Sequence, residues 1–484
     1  MKTDHQTTKT LTKGSLIAYG GLAVPVAIAE LPIILYLPAF YAKEVGLSIG
    51  MVGLVFLLAR LWDGISDPIV GTLSDRTNSR FGRRKPWILV GAPLWMVAAW
   101  FLCNPPDEVE LLYLFLWAVF FYATHTVVKI PYWSWGAELS SNYEERNKVT
   151  GFRESGSMLG NLIVAAAPVL LLPKDAPVRD ALLLISVLLI VLIPITAAPL
   201  AMAIADHKPI IATPKFNAVQ IIRKMSKNGP LRLFLVAIGC LYISLGVINS
   251  VAIFLIDIGF GLPNAFFSLF LIEYITAILV APLLVRLASK VGKHIVLTVT
   301  LCLLLVASAI GFMLPVGNYS LVVAWVCLMG VIFSGLYILP PSILADIVDY
   351  DTAASGEERA GIYMAALNLI MKLGLALGVG VAYGFLDVVG FDAAAASHTA
   401  QDAWLTRVAF CGISSVLLIP AIPMLWKFPI TKKVQQELRR TIEANANNSK
   451  QDSENNGSPK LDNHQENPAL SAQSSATALL PDNS

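Results

Sequence analysis

The chain has 484 residues, of which 56% are hydrophobic and only 14% are charged. Soluble domains carry about 25% charged residues, so the composition excludes an ordinary soluble protein and indicates one that crosses a membrane many times. The formal net charge of +2 gives no reason to expect a nucleic-acid partner. The cysteines stand singly in apolar runs, which is typical of small buried side chains and not of disulfides or metal sites.

A membrane-spanning helix needs about 20 consecutive apolar residues, and twelve segments of the chain meet this requirement. The first six lie at about 15–42, 49–74, 86–103, 110–138, 149–173 and 180–205. The last six lie at about 231–257, 264–288, 293–315, 319–348, 360–388 and 402–427. The sequence therefore predicts an all-α membrane protein with twelve transmembrane helices in two six-helix bundles.

The two bundles are predicted at 15–205 and 231–427, and the polar, lysine-containing stretch 206–230 is predicted to be the linker between them. A faint internal repeat supports this division, because Gly82-Arg83-Arg84 after the second span has a counterpart in Gly292-Lys293 after the eighth. Two repeated bundles with a binding site between them are a common architecture of secondary transporters.

Lysine and arginine cluster in the loops that follow the even-numbered spans, while the alternate loops are acidic or neutral. Cytoplasmic loops carry the excess of basic residues, so segment 1–14 and the tail 428–484 are both predicted to be cytoplasmic. The tail is rich in Asn, Ser, Gln and Asp, and we expect it to be largely disordered. The first apolar run is too long for a cleaved signal and fits a membrane anchor. We expect a multi-pass, monomeric protein of a bacterial inner membrane, in contact with the lipid bilayer.

The second span carries three ionisable side chains, Arg60, Asp63 and Asp67. Each such group costs about 2.5–3.5 kcal/mol at the centre of a membrane helix, so a functional role is the default interpretation. The i, i+4 spacing places both carboxylates on one face of the helix, with Arg60 one turn earlier. Two carboxylates facing a cavity provide the oxygen ligands that a small alkali cation or a proton requires. The alternative is a salt-bridge cluster at the end of the helix.

The fourth span contains Lys129 close to the aromatic Trp133, with His125 one turn before the lysine. Lys129 lies about nine residues before Glu138 at the end of the span, too deep for its ammonium group to reach the interface easily. An inward lysine beside aromatic rings suits an oxygen-rich or anionic ligand. The alternative is a lysine that reaches the interface, and a histidine on its own is more often a hydrogen-bonded core residue than a ligand.

Lys372 is the lone charged residue in the segment IMKLGLALG of the eleventh span. A lysine at that depth needs an acidic partner or a hydrated cavity, and Asp63 or Asp67 across the bundle is the natural candidate. The alternative is an ion pair with a purely structural role.

Two further acids lie inside apolar spans. Glu30 of the first span lies between Pro25 and Pro32, so we expect it to line a broken helix segment. Glu273 of the eighth span is isolated and can be interpreted as a packing residue.

The sequence gives no support for an enzyme. It lacks the GxxxxGK[ST] loop that would hold ATP and the HExxH helix that would hold catalytic zinc. We therefore expect no enzymatic activity and no cofactor.

Several motifs together resemble one transporter family. The second span and the loop after it contain Arg60-x-x-Asp63-x-x-x-Asp67-Pro68-x-x-Gly71-x-x-x-Asp75-Arg76. Further motifs are GLSIGMVG (46–53), SRFGRRKPW (79–87), KIPYWS (129–134) and ADIVDY (345–350). The combination resembles the glycoside–pentoside–hexuronide:cation symporters, the melibiose-carrier branch of the major facilitator superfamily, over nearly all of residues 15–430.

The resemblance implies roles for individual residues. The two acids of the second span would hold the coupling Na⁺, Li⁺ or H⁺, with Na⁺ as their metal ligand if coupling is to sodium, and Lys372 would lie close to them. Arg60 would be a further charge partner. The resemblance implies substrate contacts for Trp133, Arg153 and Tyr337. Lys129, Glu30 and His125 are further candidate substrate-binding residues because of their positions inside the spans.

The chain also departs from that family. Its galactoside carriers place acids in the first and fourth spans, at positions that correspond here to Ala27 and Lys129. Glu30, one turn beyond Ala27, would substitute in part. The replacement of an acid by lysine favours an anionic solute, such as a uronide or a sulfonated sugar.

The expected function is thus secondary active transport, in which a Na⁺ or H⁺ gradient drives uptake of a sugar-like solute by alternating access. Asp75, Arg76 and Arg83 are expected to form a cytoplasmic gate. The alternative is a carrier of lysolipids or other amphipathic anions in the same fold. A non-transporting membrane sensor is a third class, which would tolerate the change Asp63→Asn.

Overall fold

The computed structural model describes residues 11–139, 143–204, 228–355, 360–430, 434, 435 and 437. The expectations for segment 1–14, for the linker 206–230 and for the tail 428–484 lie mostly outside these described residues.

The N-terminal half of the described chain contains seven helices. They are α1 (Lys13–Leu35), α2 (Leu37–Lys43), α3 (Ile49–Arg76), α4 (Lys85–Cys103), α5 (Leu111–Glu138), α6 (Tyr143–Leu171) and α7 (Val178–Ala203). Since α1 and α2 together form the first crossing, this half crosses six times.

The C-terminal half begins with α8 (Gly229–Phe254), which continues into a π-helical turn, Leu255–Gly259. Four long helices follow, α9 (Phe266–Val291), α10 (Lys293–Met313), α11 (Tyr319–Ser355) and α12 (Ala360–Val388). The last crossing is divided into α13 (Ala400–Arg407), a π-helical segment (Val408–Ile413), α14 (Ser414–Leu418) and α15 (Ala421–Trp426).

Eleven helices of the described chain are long and apolar enough to cross a membrane, and the divided last segment completes the set of twelve. Helices dominate because every backbone N–H and C=O group must be satisfied inside the segment when lipid offers no partner. The predicted all-α fold with two groups of six spans is confirmed.

The break in the first span lies at a different position from the one expected. α1 remains helical through Pro25, Glu30 and Pro32, and the chain breaks only at Tyr36, just before Pro38 in the first turn of α2. Proline suits the first turn of a helix because its missing N–H would have no partner there. The prediction that Glu30 lines a broken segment is therefore wrong, since Glu30 lies inside a continuous helix.

Glycines allow α1 and α6 to pack with their backbones in contact. A Cβ added at Gly156 would lie 2.1 Å from the carbonyl oxygen of Gly20, and one added at Gly160 would lie 2.4 Å from that of Val24. The C-terminal half uses the same device between α8 and α12, where a Cβ at Gly378 would lie 2.3 Å from the carbonyl oxygen of Ile243. Such small residues are the usual means of close helix packing in membranes.

Gly156→Val is accordingly expected to lower the stability of the protein by about 3 kcal/mol, the upper range for overpacking, because the colliding atom belongs to the backbone and cannot rotate away. The measurement is thermal unfolding of the detergent-purified protein. Gly151→Val on the same helix is the matched control, because a Cβ there meets no atom within 4 Å. Equal effects of the two substitutions would contradict the packing argument.

The two bundles contact each other at the end that lies away from the Arg-rich loop. Lys43 of α2 forms an ion pair of 2.5 Å with Asp257 of the π-helical turn. Tyr36 lies edge-on to three phenylalanine rings of α9, Phe266, Phe267 and Phe270. These contacts close the space between the bundles at this end.

Candidate functional site

Asp63 and Asp67 of α3 meet the lysine of α12 between the bundles. The ammonium group of Lys372 lies 2.8 Å from the carboxylate of Asp63 and 2.6 Å from that of Asp67. Asp63 is only 2% exposed. Because α3 and α12 belong to different halves, this cluster is an ionic connection between the bundles in the middle of the membrane.

Thr126 of α5 completes the cluster and was missed by sequence reasoning. Its hydroxyl lies 2.9 Å from Asp63 Oδ1 and 3.1 Å from Asp67 Oδ1, so it bridges the two carboxylates. A threonine in a membrane helix usually bonds its own backbone and carries no charge, so its type alone gives no signal. The available signal was its position, one turn before Lys129 on a face already expected to be functional.

Arg60 does not join the carboxylates directly. Its guanidinium lies 3.3 Å from the hydroxyl of Tyr122 and 5.4 Å from the centre of that ring. With Arg60 and Lys372 positive and both aspartates negative, the formal charges of the cluster sum to zero without a coupling ion.

The donor set fits a small, hard cation or a proton. Two carboxylates and one hydroxyl offer only oxygen atoms, which is the preference of Na⁺ and Li⁺. The described residues contain no group of three or more His, Cys, Asp or Glu side chains able to hold a metal ion, so further ligands would come from the backbone or water. A cation that binds here must compete with Lys372 for the same oxygens.

Thr126→Val is expected to lower the apparent affinity for the coupling cation by about tenfold, since a hydrogen bond to a charged group contributes about 1.5–3 kcal/mol. The measurement is the cation concentration that gives half-maximal uptake or thermal stabilisation. Thr126→Ser keeps the hydroxyl and is expected to retain most of the affinity. A valine variant with unchanged cation affinity would exclude Thr126 from the site.

The lysine of α5 is paired with the glutamate of α1. Lys129 forms an ion pair with Glu30, so the positive charge inferred for this wall is balanced by a neighbouring carboxylate. The ammonium group also lies 4.6 Å from the centre of the Trp133 ring, and Arg153 of α6 lies 5.0 Å from the same ring. Arg153 is itself paired with Glu154 at 2.7 Å.

His125 and Tyr337 occupy different surroundings. His125 is 6% exposed and packs against Trp95 and Phe121, with its Nε2 4.0 Å from Glu30. It is a core residue behind the Lys129–Glu30 pair. Tyr337 lies on α11 in the other bundle and is 47% exposed, beside Phe333.

The charged end of α3 has a different pairing from the one expected. Asp75 pairs with Arg84, and Arg84 lies 2.7 Å from Glu138 of α5. Arg83 lies 2.5 Å from the same carboxylate, whereas Arg76 is exposed to solvent. The network therefore contains Asp75 and Arg83 of the expected gate together with Arg84 and Glu138, which were not expected, and its role as a gate stays a prediction.

The C-terminal half repeats this arrangement. Lys293 lies 2.7 Å from Asp346 of α11, just as Arg83 meets the acid of α5. Gly82 and Gly292, each of which precedes a basic residue, have positive φ angles of 106° and 121°. Glycine alone adopts such angles without strain, so the faint sequence repeat corresponds to one local structure used twice.

Comparison with known proteins identifies the family. The description MFS/sugar transport protein matches residues 17–432. The chain belongs to this family. The resemblance to the glycoside and hexuronide symporters is thereby confirmed, and the chain is a multi-pass transporter of the cation-coupled, major facilitator type and not an enzyme.

Individual relatives agree with this assignment. The inner membrane symporter YicJ of Escherichia coli is 26% identical over 83% of this chain and 87% of its own. The sodium-dependent lysophosphatidylcholine symporter 1-B of Danio rerio is 23% identical over 90% of this chain and 91% of its own. The crystal structure of the nucleoside transporter NupG has a TM-score of 0.60 at 12% identity and covers 85% of this chain and 99% of its own, which shows a shared fold.

Proposed function

We propose that this protein is a symporter that couples the inward movement of Na⁺ or H⁺ to the uptake of a sugar or glycoside. The observation that carries the coupling half of the proposal is the contact of Lys372 with both Asp63 and Asp67. It joins a candidate cation site on one bundle to a lysine on the other, so occupation of the site changes the interaction between the bundles.

The mechanism follows from competition for the carboxylates. While the site holds no cation, Lys372 is attracted to both aspartates and holds α12 against α3. A cation that binds to the carboxylate and hydroxyl oxygens weakens the attraction between Lys372 and the acids. A ligand shifts a conformational equilibrium only by its different affinity for the two states, and here the loss of this ionic connection supplies that difference.

We propose the orientation in which the basic loops face the cytoplasm. In that orientation the ion pair of Lys43 with Asp257 and the aromatic contacts of Tyr36 close the outer side. The molecule would then be in a state that releases solute and cation inward, in the same compartment as both termini.

We propose a polyhydroxylated solute because of the groups on the N-terminal wall. Lys129 and Glu30 together offer a donor and an acceptor without net charge, and the Trp133 ring offers an apolar face. Sugars present this combination of hydroxyls and C–H faces. Glu30 balances the positive charge of Lys129, and Glu154 balances that of Arg153. The expectation of an anionic solute depended on an uncompensated lysine, so a uronide is kept only as one of the probes in the test.

Uptake into proteoliposomes with imposed Na⁺ or proton gradients tests the proposal. The probes are methyl β-glucoside, methyl β-galactoside, a methyl glucuronide and lysophosphatidylcholine. We expect gradient-driven accumulation of at least one glycoside, suppressed by an excess of the unlabelled glycoside. Accumulation of the lysolipid alone would favour the amphipathic cargo of the Danio rerio relative, and gradient-independent behaviour towards every probe would overturn the symporter assignment.

A further inference from the structure

A carboxyl group of the C-terminal bundle faces a cavity that the coupling and sugar sites described above do not use. Glu273 of α9 lines this cavity together with Asn249 of α8 and Phe333 of α11. Leu35 of α1 contributes to the same wall, so the cavity lies where the two bundles meet. It is adjacent to the aromatic contacts of Tyr36 that close this end of the molecule.

Among the described residues, Glu273 differs from Glu30, Asp63 and Asp67 by lacking a counter-charge. Glu30 has Lys129, and the aspartates of α3 have Lys372. Within the described ranges, by contrast, no lysine, arginine or histidine forms an ion pair with Glu273, and no side chain among them donates a hydrogen bond to it.

Such a carboxyl group is costly without a ligand. Burying an ionised carboxylate away from water and from positive charge is among the most unfavourable arrangements in a protein. Ionisable residues that persist inside membrane spans therefore have a function by default. Glu273 is partly exposed and lines the cavity beside the amide of Asn249, so a bound solute has access to its carboxyl group.

Polar residues of neighbouring helices lie around the same cavity. The amide of Asn249 on α8 lines it together with Glu273. Tyr337 is 47% exposed and packs beside the Phe333 ring. Three helices of the C-terminal bundle thus bring an amide (α8), a carboxyl (α9) and a phenol (α11) close to aromatic rings.

We propose that Glu273 is a substrate-binding residue whose carboxylate accepts hydrogen bonds from a donor group of the solute, a hydroxyl or an ammonium, with Asn249 and Tyr337 completing this C-terminal wall. The inference rests on the proposed function, because it assigns a second contact surface to the same cargo. A solute held by Trp133 on one bundle and by Glu273 on the other connects the bundles when it binds, so it favours their closure around it.

The test measures how single donor groups of a probe interact with the carboxylate. Equilibrium binding of methyl β-glucoside, of its four monodeoxy analogues and of methyl β-glucosaminide is compared in wild type, Glu273→Gln and Glu110→Gln at saturating Na⁺. Glu110 is the matched control, since it is an exposed glutamate at the start of α5. The full-length protein is used, and its thermal midpoint without ligand reports whether each variant folds.

We expect Glu273→Gln to weaken binding of the parent glucoside about tenfold, which corresponds to about 1.4 kcal/mol, while Glu110→Gln leaves it unchanged. One monodeoxy analogue should bind wild type about tenfold more weakly than the parent does, and this difference should disappear in Glu273→Gln, as for any two groups that contact each other. Tighter binding of the glucosaminide in wild type alone would identify an ammonium as the preferred donor.

Other outcomes overturn the inference. If Glu273→Gln binds every analogue with wild-type ratios, the carboxylate does not contact the solute, although the symporter assignment stands. The inference also fails if the substitution removes only the proton dependence of uptake, since Glu273 would then carry a proton and not bind solute. If wild type binds no member of the series, the glycoside proposal and this inference fail together.

Discussion

Asp63→Asn is expected to abolish cation-driven accumulation of the solute, with a loss of about a hundredfold or more. The carboxylate contacts both Lys372 and the Thr126 hydroxyl, so the change removes a negative ligand of the cation and one of the two acids that hold the lysine. Charge-assisted contacts of this kind contribute about 1.5–3 kcal/mol each, and about 2.7 kcal/mol is a factor of a hundred. The measurement is the accumulation ratio in proteoliposomes with an imposed gradient.

Exchange of solute without a gradient is the readout that separates coupling from binding. We expect Asp63→Asn to retain exchange, because the walls that carry Trp133 and Glu273 are unchanged. Loss of both activities together with a normal thermal midpoint would place Asp63 in the solute site. Unimpaired accumulation would exclude it from the coupling site and favour the sensor class.

The sequence was sufficient to find the coupling acids and their lysine because intramembrane charges are rare. Asp63, Asp67 and Lys372 stand out in apolar spans whatever the tertiary structure is, and opposite charges at that depth must find each other. Thr126 could not be found in this way. A hydroxyl is a common and neutral group in membrane helices, so only the three-dimensional contact distinguishes it from its neighbours.

The pairing of Lys129 with Glu30 shows a second limit of sequence reasoning. The lysine could be recognised as inward-facing from the sequence. The net charge of the wall, however, depends on which faces of α1 and α5 are in contact, and the local sequence around either residue does not indicate this. The same holds for the charged loop after α3. Its basic residues were evident, yet the choice of Arg84 and Glu138 as principal partners follows from the positions of the helix ends.

The sequence predicted which segments form membrane-crossing helices, but not where those helices are interrupted. Length and hydropathy determine that a segment crosses the membrane, and the described residues form twelve crossings. Prolines, however, do not break membrane helices by themselves, since neighbouring groups can satisfy the freed carbonyls. α1 tolerates two internal prolines, whereas the last crossing is divided where Arg407 donates to the backbone carbonyls of Gly259 and Phe312.

The ion pair of Lys129 with Glu30 has no net charge, and its removal is expected to have a large effect on glycoside uptake. Lys129→Met together with Glu30→Met is expected to lower uptake of neutral and acidic glycosides by the same factor, about tenfold or more, because it removes a donor and an acceptor and leaves the net charge of the wall unchanged. If Lys129 selected anions, uptake of the uronide would fall much further than uptake of the glucoside. Uptake of methyl β-glucoside and of the methyl glucuronide, measured side by side, decides between the two.

Glu30→Gln is the complementary change, and it should convert the wall into an anion-selective one. The glutamine keeps the shape of the side chain but frees the positive charge of Lys129, so the ratio of glucuronide to glucoside uptake is expected to rise about tenfold, or about 1.4 kcal/mol. The double variant Lys129→Met with Glu30→Met removes both charges, and it should regain the thermal midpoint that either single change lowers while uptake stays low. A glucuronide ratio that does not change in Glu30→Gln would mean that the charge of Lys129 does not reach the solute, and that selection by charge lies outside this wall.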